Sequence, residues 1–126
     1  MLRCALTAAT LVVCASAAVA QAPRNFSASA LRGEVVITAP PEVLLNRRPA
    51  RLAPGARIRA MDNMLVLSGA AVNQRLIVNY TLDLQGQLLD VWILSAAELA
   101  RKPWPTTPQE AASWRFNPDT QVWSKP

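Results

Sequence analysis

The chain has 126 residues, a net charge of +5, no histidine, and two cysteines, Cys4 and Cys14, near its start. The missing histidine excludes the Ser-His-Asp triad and imidazole zinc sites. Without a cysteine after Cys14, the rest of the chain has no disulfide, thiol nucleophile or thiolate metal site.

The opening residues have the order of an export signal. Arg3 supplies a short positive region, Cys4 to Ala15 is uncharged and rich in Ala, Leu and Val, and Ser16 to Ala20 ends in the small-residue site Ala18-Val19-Ala20. Cleavage there leaves Gln21 and places the protein in the periplasm or outside the cell. A retained anchor and lipidation at Cys14 are the alternatives. The bulky Val13 before Cys14 disfavours lipidation, and no charge cluster follows Gln21-Ala22-Pro23 to stop transfer. After signal removal no stretch is apolar enough to span a bilayer. Residues 21–30 are polar and small and read as a flexible linker, followed by a single β-rich domain over 31–126.

Residues 31 to about 95 read as strands. Gly33–Thr38 is a β-branched run stopped by Pro40-Pro41, and Glu42–Leu45 is a second run that turns at Asn46-Arg47-Arg48. Ala50–Leu52 returns behind Pro49, which suits an edge. Pro54-Gly55 is a turn signal, Arg57–Arg59 alternates, and Met64–Gly69 is a strand after a turn at Asp62-Asn63.

The clearest hairpin joins Leu76–Leu84 to Gln87–Leu94 around Gln85-Gly86. A two-residue loop there pairs Leu82/Leu89, Tyr80/Val91 and Val78/Ile93 on an apolar face. The other face, with Asp83/Leu88, Thr81/Asp90, Asn79/Trp92 and Ile77/Leu94, is mixed and needs partial cover. The C-terminal segment is the available cover. Ser95-Ala96-Ala97-Glu98 matches a capping box, and Thr107-Pro108-Gln109-Glu110 starts a second short helix running to about Trp114. Asn117–Thr120 then turns the chain between the flanks of a small hairpin.

Arg47, Arg48, Arg51, Arg57 and Arg59 form the densest charge cluster, with no acid among them in sequence. Such a cluster could hold anionic groups of an envelope surface; a solvated edge hairpin is the simpler reading. No aromatic is interleaved with these arginines, so nucleic acid is not an expected partner. Trp92, Trp104, Trp114 and Trp123 are candidates either for anchoring the tail or for docking a protein partner. Asp83, Asp90 and Glu98 are the only carboxylates grouped near one another, and they read as solvated acids rather than a glycosidase pair. No catalytic, cofactor-binding or metal-binding residue is assigned, and no cofactor is expected.

The runs Pro41–Asn46, Arg51–Arg59, Asn63–Gly69, Asp90–Leu94 and Pro103–Thr107 resemble an uncharacterised family of small exported proteins of Gram-negative proteobacteria. The resemblance covers nearly all of the chain after the signal and implies export and a single domain, but no activity. Where members tend to carry Asn-Gly in the first hairpin turn, this chain has Asn46-Arg47. The expected fold is mainly β, a small antiparallel barrel or curved sheet with one or two short C-terminal helices. The expected function is a non-enzymatic binding or accessory module of the cell envelope. The alternative is an interaction module that docks through its Trp/Pro-rich tail.

Overall fold

The computed structural model describes residues 23–126; the expected export signal, its cleavage site and residues 21–22 lie outside the described residues. The fold is mainly β, with two short helices near its C-terminus. In chain order the elements are β1 (Leu31–Ala39), β2 (Glu42–Leu45), β3 (Arg48–Arg59), β4 (Leu65–Val66), a 3-10 turn (Ser68–Ala71), β5 (Arg75–Leu82), β6 (Leu88–Ile93), α1 (Ala96–Leu99), α2 (Pro108–Ser113), β7 (Arg115–Asn117) and β8 (Val122–Ser124). β1 pairs antiparallel with β2 and β5, β2 with β3, and β5 with β6. β6 lies parallel to β3, so the pairings close into a ring β1-β2-β3-β6-β5, with β4 added to the other edge of β3. The sheet is therefore mixed rather than antiparallel throughout. The segment through β4 and the 3-10 turn carries the chain across, so β6 returns beside β3 in the same direction.

Local chemistry explains three departures from the expected strands. Pro54-Gly55 does not end a strand. Gly55, at φ +77°, lies in an irregularity between Leu52 and Arg57 that lets one strand bend and continue. Met64–Gly69 contains only two strand residues, because Gly69-Ala70-Ala71 offers no β-branched side chain and winds into the 3-10 turn. In the β5–β6 hairpin the pairs Val78/Ile93, Asn79/Trp92 and Tyr80/Val91 form as expected. Nearer the turn Leu82 meets Leu88 rather than Leu89. β6 spends one extra residue there, so Leu88 is fully buried and Leu89 is 38% exposed. The cause is a longer loop: the Asp83 carboxylate accepts the N–H groups of Gln85 and Gln87, and Gly86 takes φ +78°.

The ring encloses Leu31, Val35, Ile37, Val43, Ile58, Val78, Tyr80, Leu88 and Val91. A second core, of Phe26, Ala30, Leu94, Trp104 and Trp123, packs with Trp92 and Phe116 at its margin. This is the cover that the mixed face of β5–β6 requires, but part of it, Phe26 and Ala30, comes from the N-terminal side. Residues 24–30 are not a linker. Phe26 is buried edge-on to Trp92 and Trp104, at 5.4 and 5.9 Å between ring centres. Its N–H donates to Gln121 Oε1 and its carbonyl accepts from Gln121 Nε2, at 2.7 and 3.1 Å. A single Phe in a polar decapeptide is a weak periodic signal, which is why composition alone reads this segment as a tether.

Candidate functional site

The β2–β3 hairpin is closed by a two-residue turn, with Leu45 paired to Arg48 and both Asn46 (φ 52°) and Arg47 (φ 67°) left-handed. This is the conformation that Asn-Gly turns favour. Asn46 tolerates it, whereas Arg47 carries a Cβ there at a cost of roughly 1–2 kcal/mol. The tip is locked to β1: Asn46 N–H donates to the Glu34 carbonyl at 2.8 Å, and Asn46 Oδ1 accepts the Glu34 N–H at 2.9 Å. Gly33 makes this approach possible, since a Cβ there would lie 2.9 Å from Asn46 Oδ1 and 3.0 Å from the Tyr80 ring.

Arg47 and Arg48 project from this rigid tip, exposed, and join no ion pair among the described residues. Arg48 borders a cleft of about 430 Å³ whose walls are Leu45, Asn46, Pro49 and Ala50 on one side and Thr106 and Thr107 on the other. The threonine wall is held by its neighbours. The Pro105 carbonyl accepts the Arg32 N–H at 2.8 Å, and the buried Trp104 donates its indole N–H to the Ala30 carbonyl at 3.0 Å. Thr107 caps α2 by accepting the Glu110 N–H, while the Thr106 hydroxyl donates to the Glu110 carboxylate at 3.0 Å. Guanidinium groups at such a rim can grip phosphate, sulfate or carboxylate groups in bidentate fashion.

The five arginines of the sequence cluster do not form one site. Arg51 pairs across the hairpin with Glu42 at 3.3 Å, an acid that the linear spacing did not bring into view. Arg57 and Arg59 lie at the other end of β3, opposite Asp90 and Trp92 of β6. Arg59 donates to the Asn63 carbonyl at 3.3 Å. Asp83 and Asp90 are engaged locally, Asp83 in its loop and Asp90 with the Thr81 hydroxyl. Trp104 and Trp123 are buried, and Trp92 and Trp114 are half-buried against the second core.

Sequence reasoning missed a part-buried polar network that ties Arg24 and Arg32 to Glu98 and Arg101. The Arg24 guanidinium donates to both Glu98 oxygens, at 2.9 and 2.8 Å, and to the carbonyls of Ala60 and Ile93. The Arg24 N–H also donates to Glu98, and Arg101 donates to the Arg24 carbonyl. Arg32 stacks over Trp104 and donates to Asn79 Oδ1 and to the carbonyls of Glu98 and Arg101 at the end of α1. Burial pushes the Glu98 carboxyl upward. Hydrogen bonds from Arg24 and from the Ser95 N–H, with the Arg24 charge, outweigh burial and hold the group at about 2. Burial, then the Arg101 charge, lowers the Arg32 pKa, and Glu98 partly offsets this. The readable signal was the capping-box Glu98, whose carboxylate has acceptor capacity beyond the Ser95 N–H.

Among the described residues no helix is long and apolar enough to cross a membrane. The fold and this site define a small β-domain with a cationic hairpin tip beside a polar cleft. The chain matches no family model, no curated protein sequence and no solved structure.

Proposed function

We propose that the protein is an exported, non-enzymatic binding module of the cell envelope that grips anionic groups through Arg47 and Arg48. The observation that carries this reading is a pair of arginines that join no ion pair among the described residues, on a backbone-locked tip, one of them in a left-handed conformation that favours glycine. A side chain held where its backbone is strained points to a use for that side chain. The cleft beside Arg48 gives a bound anionic group a second wall with threonine hydroxyls. Docking through the tail is less favoured, because Trp104 and Trp123 face the second core.

Titration of a sulfated heparin oligosaccharide at low salt tests the reading. Changing Arg47 and Arg48 together to Gln removes two charge-assisted contacts and should weaken binding about tenfold or more. The Arg57→Gln/Arg59→Gln protein should bind as the wild type does. Equal affinity in wild type and the Arg47→Gln/Arg48→Gln protein refutes the assignment.

A further inference from the structure

The segment that opens α2 lies between two clefts. Thr106 and Thr107 form one wall of the cleft beside Arg48. Just beyond them, Pro108 and Ala111 wall a second cleft of about 270 Å³, with Ser29, Leu31 and Leu82 opposite. The first cleft carries a guanidinium and two hydroxyls. The second is apolar apart from the Ser29 hydroxyl, which is already engaged with that of Ser27 at 2.8 Å.

The opposite walls run together as well. Asn46, in the first cleft, rests so close over Gly33 that a Cβ there would touch it. Leu31, in the second, stands two residues back on the same face of β1, roughly 7 Å along the strand. Leu31 pairs with Tyr80, and Leu82 lies two residues beyond Tyr80 in β5. Leu31 is buried in the ring while Leu82 is 37% exposed, so the second cleft leads from the surface onto the ring's core. No residue of α2 is buried, which makes α2 the wall that can yield to a bound chain.

Building on the anion-binding reading above, we infer that the ligand is a single-chain anionic amphiphile. Arg47 and Arg48 hold its head group, and its alkyl chain passes Thr106 and Thr107 to lie against Leu31, Leu82, Pro108 and Ala111. A purely polar anion leaves the apolar cleft in water, whereas an alkyl chain takes that surface out of water. The arginines fix which end of the ligand sits at the tip. A volume of about 270 Å³ lies just below the ~300–1,000 Å³ of ordinary ligand pockets. It suits one chain of a monomer taken from solution, not the paired chains of a bilayer lipid.

Isothermal titration of the exported protein with butyl phosphate and decyl phosphate, each below its micelle concentration, tests this. The head groups are identical, and each buried methylene is worth about fourfold in affinity. Decyl phosphate should bind at least about tenfold more tightly than butyl phosphate. Arg47→Gln/Arg48→Gln should weaken both ligands by a similar factor, and Arg57→Gln/Arg59→Gln should weaken neither. Leu82→Gln should bring the advantage of the decyl chain down to about twofold. Ser29→Glu should do the same from an exposed residue outside both cores, where folding is not at stake. A decyl advantage that survives in both variants places the chain elsewhere and overturns the inference. Equal wild-type affinity for the two phosphates, with both weakened by Arg47→Gln/Arg48→Gln, overturns the inference but leaves anion binding at the tip standing. Decyl phosphate binding that Arg47→Gln/Arg48→Gln does not change, or no binding of either phosphate, overturns both. Sedimentation with phosphatidylglycerol vesicles without binding of dispersed decyl phosphate assigns the arginines to a membrane surface and overturns the single-molecule occupant.

Discussion

Replacing Glu98 by Gln tests whether the buried Arg24–Glu98 pair holds the second core together. The Glu98 carboxyl is held at about 2, against an ordinary value of 4.5, and its side chain is 1% exposed. A folded-state pKa lowered by that much corresponds to about 3 kcal/mol of stability at neutral pH. Because the value is depressed, the contribution is complete above about pH 4.5 and is lost as pH falls toward about 2. The amide keeps the shape but leaves the Arg24 guanidinium without its counter-charge, in a site where breaking a buried pair costs roughly 3–5 kcal/mol. For a domain of about a hundred residues, about 3 kcal/mol moves the melting temperature by roughly 12–24 °C. The assay is thermal unfolding of wild type and Glu98→Gln from pH 7 down to pH 2. Any pH effect common to the two proteins cancels, so the difference between the curves isolates Glu98. The gap should be wide at neutral pH and should close below pH 4.5. A gap that is constant across the range, or absent at pH 7, refutes the role given to this pair.

Three further outcomes follow from the same contacts. Trp104→Ala and Trp123→Ala should each cost about 3–5 kcal/mol of unfolding free energy; Trp104→Phe should cost more than Trp123→Phe, because among the described residues the Trp104 indole N–H has an acceptor and that of Trp123 has none. Arg47→Gly should raise stability by roughly 1 kcal/mol in chemical denaturation, by relieving the left-handed backbone, while weakening heparin binding; a loss on both counts would reject the strained-turn argument. Intact-mass analysis of exported protein should give a chain beginning at Gln21, and a species starting at an acylated Cys14 or retaining the leader would contradict cleavage after Ala20.

The parts of the fold legible in the sequence were those set by short-range chemistry. Both helix starts form as their capping residues require. Ser95 and Glu98 make the reciprocal box, and Thr107 accepts the Glu110 N–H behind Pro108. The small hairpin Arg115–Asn117 with Val122–Ser124 also forms around the Asn117–Thr120 turn. The less legible parts depend on contacts between distant residues. The parallel β3–β6 pairing has no local signature, because it is decided by where the β4 crossover puts the chain. The β6 irregularity is decided by Asp83, whose carboxylate can hold a loop of several lengths. The arginine cluster was visible as composition, but its division was not. Arg51 finds Glu42 only across the hairpin, and a long bent strand carries Arg57 and Arg59 away from the tip.

Residues 24–30 show how a small domain with no cysteine after Cys14 ties distant parts of its chain together. Arg24 reaches Glu98, Phe26 pairs its backbone with Gln121, and the Ala30 carbonyl receives the Trp104 indole N–H. Each contact closes a loop of more than seventy residues, the separation at which a cross-link most restricts the unfolded chain. These contacts are non-covalent and form only with the folded state, so they stabilise it by burial and pairing instead. A chain starting at Leu31 keeps every strand of the ring but loses Phe26 and Ala30 from the second core and leaves Glu98 buried without Arg24. Loss of one buried aromatic and one buried charge partner each costs about 3–5 kcal/mol, together a large share of the roughly 5–15 kcal/mol that holds such a domain folded. The truncated chain should therefore bind a hydrophobic dye and show red-shifted tryptophan emission from Trp92, Trp104 and Trp123 while retaining β-type circular dichroism. Tryptophan emission and melting temperature matching those of the chain starting at Gln21 would return residues 24–30 to the role of a linker.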